Sequence, residues 1–504
     1  MAKEMRERPD ARIAVLDVGK TNVKLSAVCQ DGTILETVSV ANRVVDGPFW
    51  REHDLVGIGD WVMSSLTELC LRHDITAVVT SGHGSGGVLV GGDPDHNGDG
   101  AALPMIDYEQ PLPEDIRLGY VPLSGSFFDR GSALMLGATH QARQMYWMQQ
   151  VQPEAFAKAR WFLGVPQYWA WRLSGVAVSE ATFLGAQSHF WNTVERHWAP
   201  IVAACGWQAL MPPFAAAWQR IGKIRPALAD RYGIARDIDV LAGIHDSSAN
   251  FYRYQAAGLE QATVVSTGTW IVALSSTVAL ARLDEHRGMT CNADVDGRPV
   301  GGALTMGGRE FSLVAGQQAE GPPVSIETLL RLVDRGTMAL PSFGDDDGLF
   351  PGSAGQGRIV GPLPGDPAER KALAVLYTAL LTAECLDALG SEGLVVLDGN
   401  FLREPLYAGL VAALRPGRET LYSLDAYGVA SGAALLAGHA TRRDKAPIAL
   451  NTPVSIAFPS IPGTGDALAG YAQRWRRLSR SNTQLHTDTQ AHPKPGNMTE
   501  RSTP

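Results

Sequence analysis

Ile13-Ala-Val-Leu-Asp17 runs into Gly19-Lys20-Thr21-Asn22 and returns as Val23-Lys-Leu-Ser-Ala-Val28. Past the middle of the chain, Thr263-Val-Val-Ser266 runs into Thr267-Gly268-Thr269 and returns as Trp270-Ile-Val-Ala-Leu274. Each stretch is an apolar strand, a small polar turn and a second apolar strand. Turns of Gly, Ser and Thr offer backbone N–H groups and hydroxyls to an anion, with no bulky side chain in the way. A lone strand-Gly-strand pattern is ordinary hairpin chemistry. Its recurrence, with Asp17 closing the first strand, predicts a duplicated fold that grips a polyphosphate between its halves.

The surrounding pattern fits that duplication. Gln30-Asp31-Gly32-Thr33 is a further turn leading to the strand-like 34–40, so the first half opens as a three-stranded meander. A helix is predicted over 55–72, a buried strand over 76–80, a Gly/Asp/His-rich loop over 82–100, and a strand over 238–242 leading into Gly243-Ile-His-Asp246. Residues 161–173 and 181–192 read as helical or mixed segments. The second half repeats the plan: hairpin, Gly-rich segment 301–308, helix 369–389, strand 394–398, the Gly399-Asn400 turn and small-residue helix 428–439. Strand-then-helix order predicts an α/β fold of two lobes, divided at 250/251 within a boundary region of 250–262. Residues 479–504 carry almost no apolar groups and are predicted to be a disordered tail.

At 504 residues the chain is too long for one ordinary core. Hydrophobic residues at 45% and charged residues at 19% describe a soluble globular protein. The net charge of −9 and the lack of a basic stripe argue against a nucleic-acid partner. No membrane span and no signal peptide are predicted. Five scattered cysteines, without metal spacing, fit reduced thiols in a cytoplasm. Zinc spacing, a Ser/His/Asp signature and a Gly-x-Gly-x-x-Gly fingerprint are all missing, which leaves hydrolase and dehydrogenase readings unsupported.

Taken together, the motifs resemble the FGGY carbohydrate kinases of the actin-like ATPase superfamily. The first hairpin looks like that family's first phosphate motif, and Ser266-Thr267-Gly268-Thr269-Trp270 looks like the second. Gly243-Ile244-His245-Asp246 with Ser247-Ser248-Ala249 resembles the catalytic motif, and Leu397-Asp398-Gly399-Asn400 resembles the adenosine-side turn, with Asp for its first Gly. The segment from Phe162 to Trp207, with Glu180, is also similar.

The resemblance implies two actin-like (ribonuclease H-like) lobes and a cleft binding ATP and Mg²⁺. Asp246 would be the general base, and Asp17 would order Mg²⁺ through water. Gly19, Lys20, Thr21 and Asn22, with Thr267, Gly268 and Thr269, would meet the phosphates. Lys20 stands where relatives carry Thr or Ser, and its ammonium would lie beside the γ-phosphate. Gly399 and Asn400 would face the adenosine, with Gly307-Gly308 flanking them. His83, Gly84, Asp107, His245 and Asp246 would contact the sugar, although Ile106-Asp-Tyr-Glu-Gln110 departs from the relatives' Trp-x-Asp-x-Arg. The implied reaction phosphorylates a primary hydroxyl of a ketose. His245 and Trp270 favour the deoxy-ketohexose branch, L-fuculose or L-rhamnulose. A pentulose kinase and a non-catalytic actin-like ATPase or sugar sensor remain alternatives. A homodimer is compatible with this reading.

Overall fold

The computed structural model describes residues 12–442, 447–450, 454–457 and 465–490. Its first sheet contains β1 (Ile13–Val18), β2 (Asn22–Val28), β3 (Ile34–Ala41), β4 (Ala77–Gly82), β5 (Arg220–Lys223) and β6 (Asp239–Leu241). Their order across the sheet is β3-β2-β1-β4-β6-β5. The second sheet contains β7 (Thr263–Thr267), β8 (Ile271–Ser275), β9 (Pro299–Thr305), β10 (Val395–Gly399), β11 (Thr420–Tyr422) and β12 (Ser455–Ile456), in the order β9-β8-β7-β10-β11-β12. A seventh strand joins each: Ile244–His245 beside β4 and Thr290–Ala293 beside β9.

The two sheets repeat strand for strand in direction. β1 is antiparallel to β2 and parallel to β4, as β7 is antiparallel to β8 and parallel to β10. The apolar runs of β1, β4 and β10 lack alternation because they are covered on both faces, as central strands must be.

Helix α1 (Leu55–Arg72) follows the sequence expectation closely, capped by Asp54, whose side chain accepts from the Gly57 N–H. Residues 161–173 divide into a strand, Trp161–Gly164, and α2 (Val165–Ser174), which starts where Pro166 fits the first turn. The long α4 (Pro367–Leu389) is apolar and long enough to cross a membrane, but its side chains are buried in the core of the second half.

Two helices join the halves. In α3 (Asp246–Ala256), Ala249 and Tyr252 pack toward the first sheet, while Phe251 and Tyr254 pack toward the second. The expected division at 250/251 therefore falls inside one helix, and the chain reaches the second sheet only after it. From the second half, α5 (Gly428–Leu435) returns to the first sheet, placing Ala430, Ala433 and Leu435 against Ile13 and Val15. Gly428 and Gly432 let α5 approach α3 closely. A Cβ at Gly432 would run into the Ala249 carbonyl.

The C-terminal expectation needs correction. Helix α6 (Gly465–Gln490) runs through the first part of the predicted disordered tail. Its Trp475 is buried and donates to the Ala339 carbonyl at 2.6 Å, and Arg480 lies 3.4 Å from Glu384. The apolar residues that dock α6, Leu468, Tyr471, Ala472 and Trp475, lie ahead of the predicted tail, and residues 479–490 continue the same helix. Residues 491–504 lie outside the described residues.

Candidate active site

A cleft of ≈ 720 Å³ opens between the two sheets, lined by the turns that end β1 and β7 and by the start of α3. The local chain explains how Asp246 reaches it. Gly243 takes φ 87°, a left-handed conformation in which a Cβ would collide with Thr80, so only glycine permits the bend after β6. His245 then precedes the helix and Asp246 is its first residue. Asp246 therefore stands at the junction of the strand segment Ile244–His245 and α3.

That corner is held from behind by Glu180. Its carboxylate accepts from the Thr182 N–H (2.9 Å), the Thr182 hydroxyl (2.6 Å) and the Phe183 N–H (3.0 Å). Thr182 Oγ1 in turn accepts from the His245 N–H at 3.1 Å. Burial pushes Glu180 up to about 7 against the pull of those hydrogen bonds.

Asp17 and Asp246 share an electrostatic environment. Burial raises Asp17 to about 6, with the charge of Asp246 adding to the rise and Lys24 opposing it. Burial likewise raises Asp246 to about 6, opposed by hydrogen bonds from Ser247. The Asp246 side chain is 27% exposed, so it still opens to the cleft. His245 Nε2 lies 3.2 Å from Asp246 Oδ1, but burial lowers His245 to about 3. At neutral pH the histidine is uncharged, and this contact is polar rather than an ion pair.

His83 lies on the same wall. It is buried, burial pushes its ring down to about 3, and neither ring nitrogen has a hydrogen-bond partner among the described residues. Gly84 is required beside it, since a Cβ there would stand 2.8 Å from His245 Nε2 and 2.9 Å from the Ala186 methyl.

Asp17, Lys20, Thr21, His83, Gly84, His245, Asp246, Thr267, Gly268, Thr269, Gly399 and Asn400 all line the one cleft. Gly19 and Asn22 do not. They shape the turn, with Gly19 N–H donating to the Asn22 carbonyl at 3.0 Å and the Gly19 carbonyl accepting from Asn42 at 2.8 Å. Asp107 is also outside the lining. It is 2% exposed, bonded to Lys20 Nζ at 2.7 Å and to Arg51 at 2.6 Å. Burial pushes Asp107 up, but the Lys20 hydrogen bond and the Lys20 and Arg51 charges outweigh it and hold the carboxyl below its usual range. Two expected roles change accordingly: Asp107 is not an open acceptor for sugar hydroxyls, and the Lys20 ammonium is turned to Asp107 instead of standing free for phosphate.

The Thr267 hydroxyl is likewise committed. It donates to the Asp398 carbonyl at 2.7 Å and accepts from the Phe401 N–H at 3.2 Å, tying the second turn to the Gly399-Asn400 turn. Gly307-Gly308 lies behind the second turn and outside the lining: Gly308 N–H donates to the Thr269 carbonyl at 3.0 Å.

The comparisons with known proteins agree with this geometry. Residues 122–251 match the N-terminal domain of the FGGY family of carbohydrate kinases, and residues 259–446 match the carbohydrate kinase FGGY C-terminal domain. The chain belongs to the FGGY carbohydrate kinase family. The crystal structure of a carbohydrate kinase from Novosphingobium aromaticivorans is similar over 95% of this chain and 100% of its own, with 30% identity and a TM-score of 0.79. Xylulose kinase from Lactobacillus acidophilus covers 95% of this chain and 99% of its own at 16% identity and TM-score 0.76, a likeness of fold. L-fuculokinase from Escherichia coli strain K12 is 25% identical over 294 residues, 56% of this chain. That match spans 60% of the relative's length.

The FGGY cleft also contains residues that the motifs leave out. Asn250 donates to Ser266 Oγ at 2.9 Å. Behind the lining, Arg253 is buried and bridges the cleft residues Asp398 (2.7 Å) and Asp425 (2.5 Å), tying both to α3. With Asp246 they form an i, i+4, i+7 stripe on one face of a predicted helix, a periodicity visible in the sequence. Ser85, Met135 and Gln187, also in the lining, carry no such signal.

Proposed function

We propose that this FGGY protein transfers the γ-phosphoryl group of ATP to a primary hydroxyl of a ketose, in a cytoplasmic setting. A deoxy-ketohexose such as L-fuculose or L-rhamnulose is the first candidate. The observation that carries the reading is the convergence of both phosphate-type turns and Asp246 on one cleft between two repeated sheets. Such a reaction needs positioning, charge stabilisation and a proton acceptor. The Asp246 carboxylate takes the hydroxyl proton as the sugar oxygen forms its bond to phosphorus. The bond from phosphorus to the β-phosphate oxygen breaks, and ADP leaves with the electron pair. Thr21, the Gly268-Thr269 backbone and the N-terminus of α3 surround the transferring group. Neutral His83 offers an uncharged donor and acceptor to sugar hydroxyls, while His245, held by Ser248 and Asp246, sets the wall beside it.

The residues suit Mg²⁺. This ion typically takes one or two carboxylates, substrate phosphates and several waters, so a protein cage is not needed. Among the described residues no group of three or more metal ligands occurs. Asp17, half-buried in the cleft wall and within electrostatic reach of Asp246, is the residue that would hold the ion, directly or through water. When bound, Mg²⁺ supplies neutralisation of phosphate charge.

The sugar assignment is tested by a panel of L-fuculose, L-rhamnulose, D-xylulose, D-ribulose, glycerol and an aldohexose with ATP and Mg²⁺. L-fuculose or L-rhamnulose should give the highest kcat/KM. Glycerol or the aldohexose leading would refute a ketose kinase. A pentulose is the second reading, because the changed 106–110 segment and the engaged Asp107 remove an acid that relatives present to the sugar.

The base assignment fixes a pH dependence. A carboxyl raised to about 6 is charged above that value and protonated below it. The rate constant kcat/KM should therefore be flat in the neutral range and fall as pH drops through about 6. Because Asp17 is also raised to about 6, the acid limb should be steeper than a one-proton curve. An acid limb centred near pH 4 would mean that the carboxyl keeps its ordinary value in the working enzyme, whereas an unchanged limb and rate in Asp246→Asn would remove Asp246 as the base.

A further inference from the structure

Lys20 belongs to the first phosphate-type turn, yet its side chain leaves that turn and crosses to the sugar-side wall. Its ammonium lies 2.7 Å from Asp107 Oδ1, 3.6 Å from Glu109 Oε2 and 5.6 Å from the centre of the Tyr108 ring. The receiving segment is firmly built. The other Asp107 oxygen accepts from Arg51, the Glu109 N–H reaches Asp107 Oδ1 at 3.3 Å, and the Gln110 side chain donates to the Arg51 and Asp107 carbonyls, both at 2.9 Å. Asp107 is almost fully buried, so leaving one of its oxygens without a cation would be costly. Tyr108, next along, lines the cleft and lies 5.4 Å, ring centre to ring centre, from His83, whose nitrogens are both unpartnered among the described residues. One side chain thus connects the turn that would meet phosphate with the wall that would meet sugar.

Resting on the kinase reading above, we propose that Lys20 is a positioning residue that couples the two substrates: by holding the 19–22 turn to the Asp107–Glu109 segment, it makes nucleotide binding order the sugar wall. Coupling of this kind is reciprocal, so a bound sugar would equally favour nucleotide. The residue acts through Asp107 and Tyr108 and need not touch the transferred group. It also accounts for a lysine at a turn position where small hydroxyl residues would suffice for phosphate alone.

The test follows hydrogen–deuterium exchange in the full-length wild type, Lys20→Met and Lys20→Arg, each with and without a non-hydrolysable ATP analogue and Mg²⁺. In the wild type the nucleotide should slow exchange in a peptide covering 103–112 by on the order of five-fold, the lower end of ordinary coupling. Lys20→Met should lose that protection while keeping nucleotide-dependent protection at 263–274. Lys20→Arg should restore it. Equal protection of 103–112 in the wild type and Lys20→Met would overturn the coupling role. Absence of nucleotide protection at 263–274 in the wild type would overturn the nucleotide reading itself, and this proposal with it.

Discussion

Asp246→Asn is expected to leave a folded protein that still binds nucleotide but turns over roughly 10²–10⁴-fold more slowly, the usual contribution of a positioned general base. The substitution is nearly isosteric, and the new amide oxygen can still accept from the Ser247 N–H and hydroxyl that bond Asp246 Oδ1. What is lost is the capacity to take a proton. Stability should hold or rise slightly, because burial already disfavours the charged form and removing it relieves the repulsion with Asp17. The measurement is sugar-dependent ADP release beside a denaturant midpoint. A near-native rate would take the base away from Asp246, whereas a collapsed midpoint would make the rate uninformative and shift the test to Asp246→Ser.

The parts of this fold that could be read from sequence are those fixed by local periodicity and turn chemistry. Both hairpins, α1 and the strand before Gly399 fall within a residue or two of expectation. Most residues that line the cleft from the two turns could also be located, since turns between apolar strands are where ligands meet backbone donors. Their roles were harder to read. Nothing local to Lys20 shows that its charge is neutralised by Asp107, far along the chain, or that Arg51 completes the pair. Thr267 looks like a phosphate donor until Asp398 and Phe401 are seen to use its hydroxyl. The tail expectation changes only at its start, where residues 479–490 continue a helix: a composition window sees the polar stretch and not the docked helix that leads into it. Leu468, Tyr471, Ala472 and Trp475, the last seated against Phe350 and Tyr377, anchor α6 ahead of the polar stretch. Long-range pairing decides side-chain function here, and it is the level that sequence pattern does not reach.

Gly399→Ala should damage both stability and nucleotide binding. Gly399 ends β10 opposite Thr267 in the parallel ladder and has φ 97° and ψ −163°. That region is essentially closed to residues with a Cβ, at a cost of about 1–3 kcal/mol. Space is also lacking. A Cβ would be driven into the Thr267 carbonyl oxygen and come within 2.9 Å of the Thr267 amide nitrogen, both backbone atoms that cannot rotate away. Relief requires the strands to separate just where the second phosphate-type turn and the Gly399-Asn400 turn are joined by the Thr267 hydroxyl. Overpacking of this kind costs about 1–3 kcal/mol, so a combined loss of roughly 3 kcal/mol is expected. Nucleotide affinity should fall by more than tenfold at a temperature where the variant remains folded, since both turns shift together. Calorimetric titration with ADP, read beside urea unfolding, separates the two effects. Native-like ADP affinity in a variant destabilised as expected would show that these turns do not form the nucleotide wall, and the adenosine side would have to be sought elsewhere in the cleft.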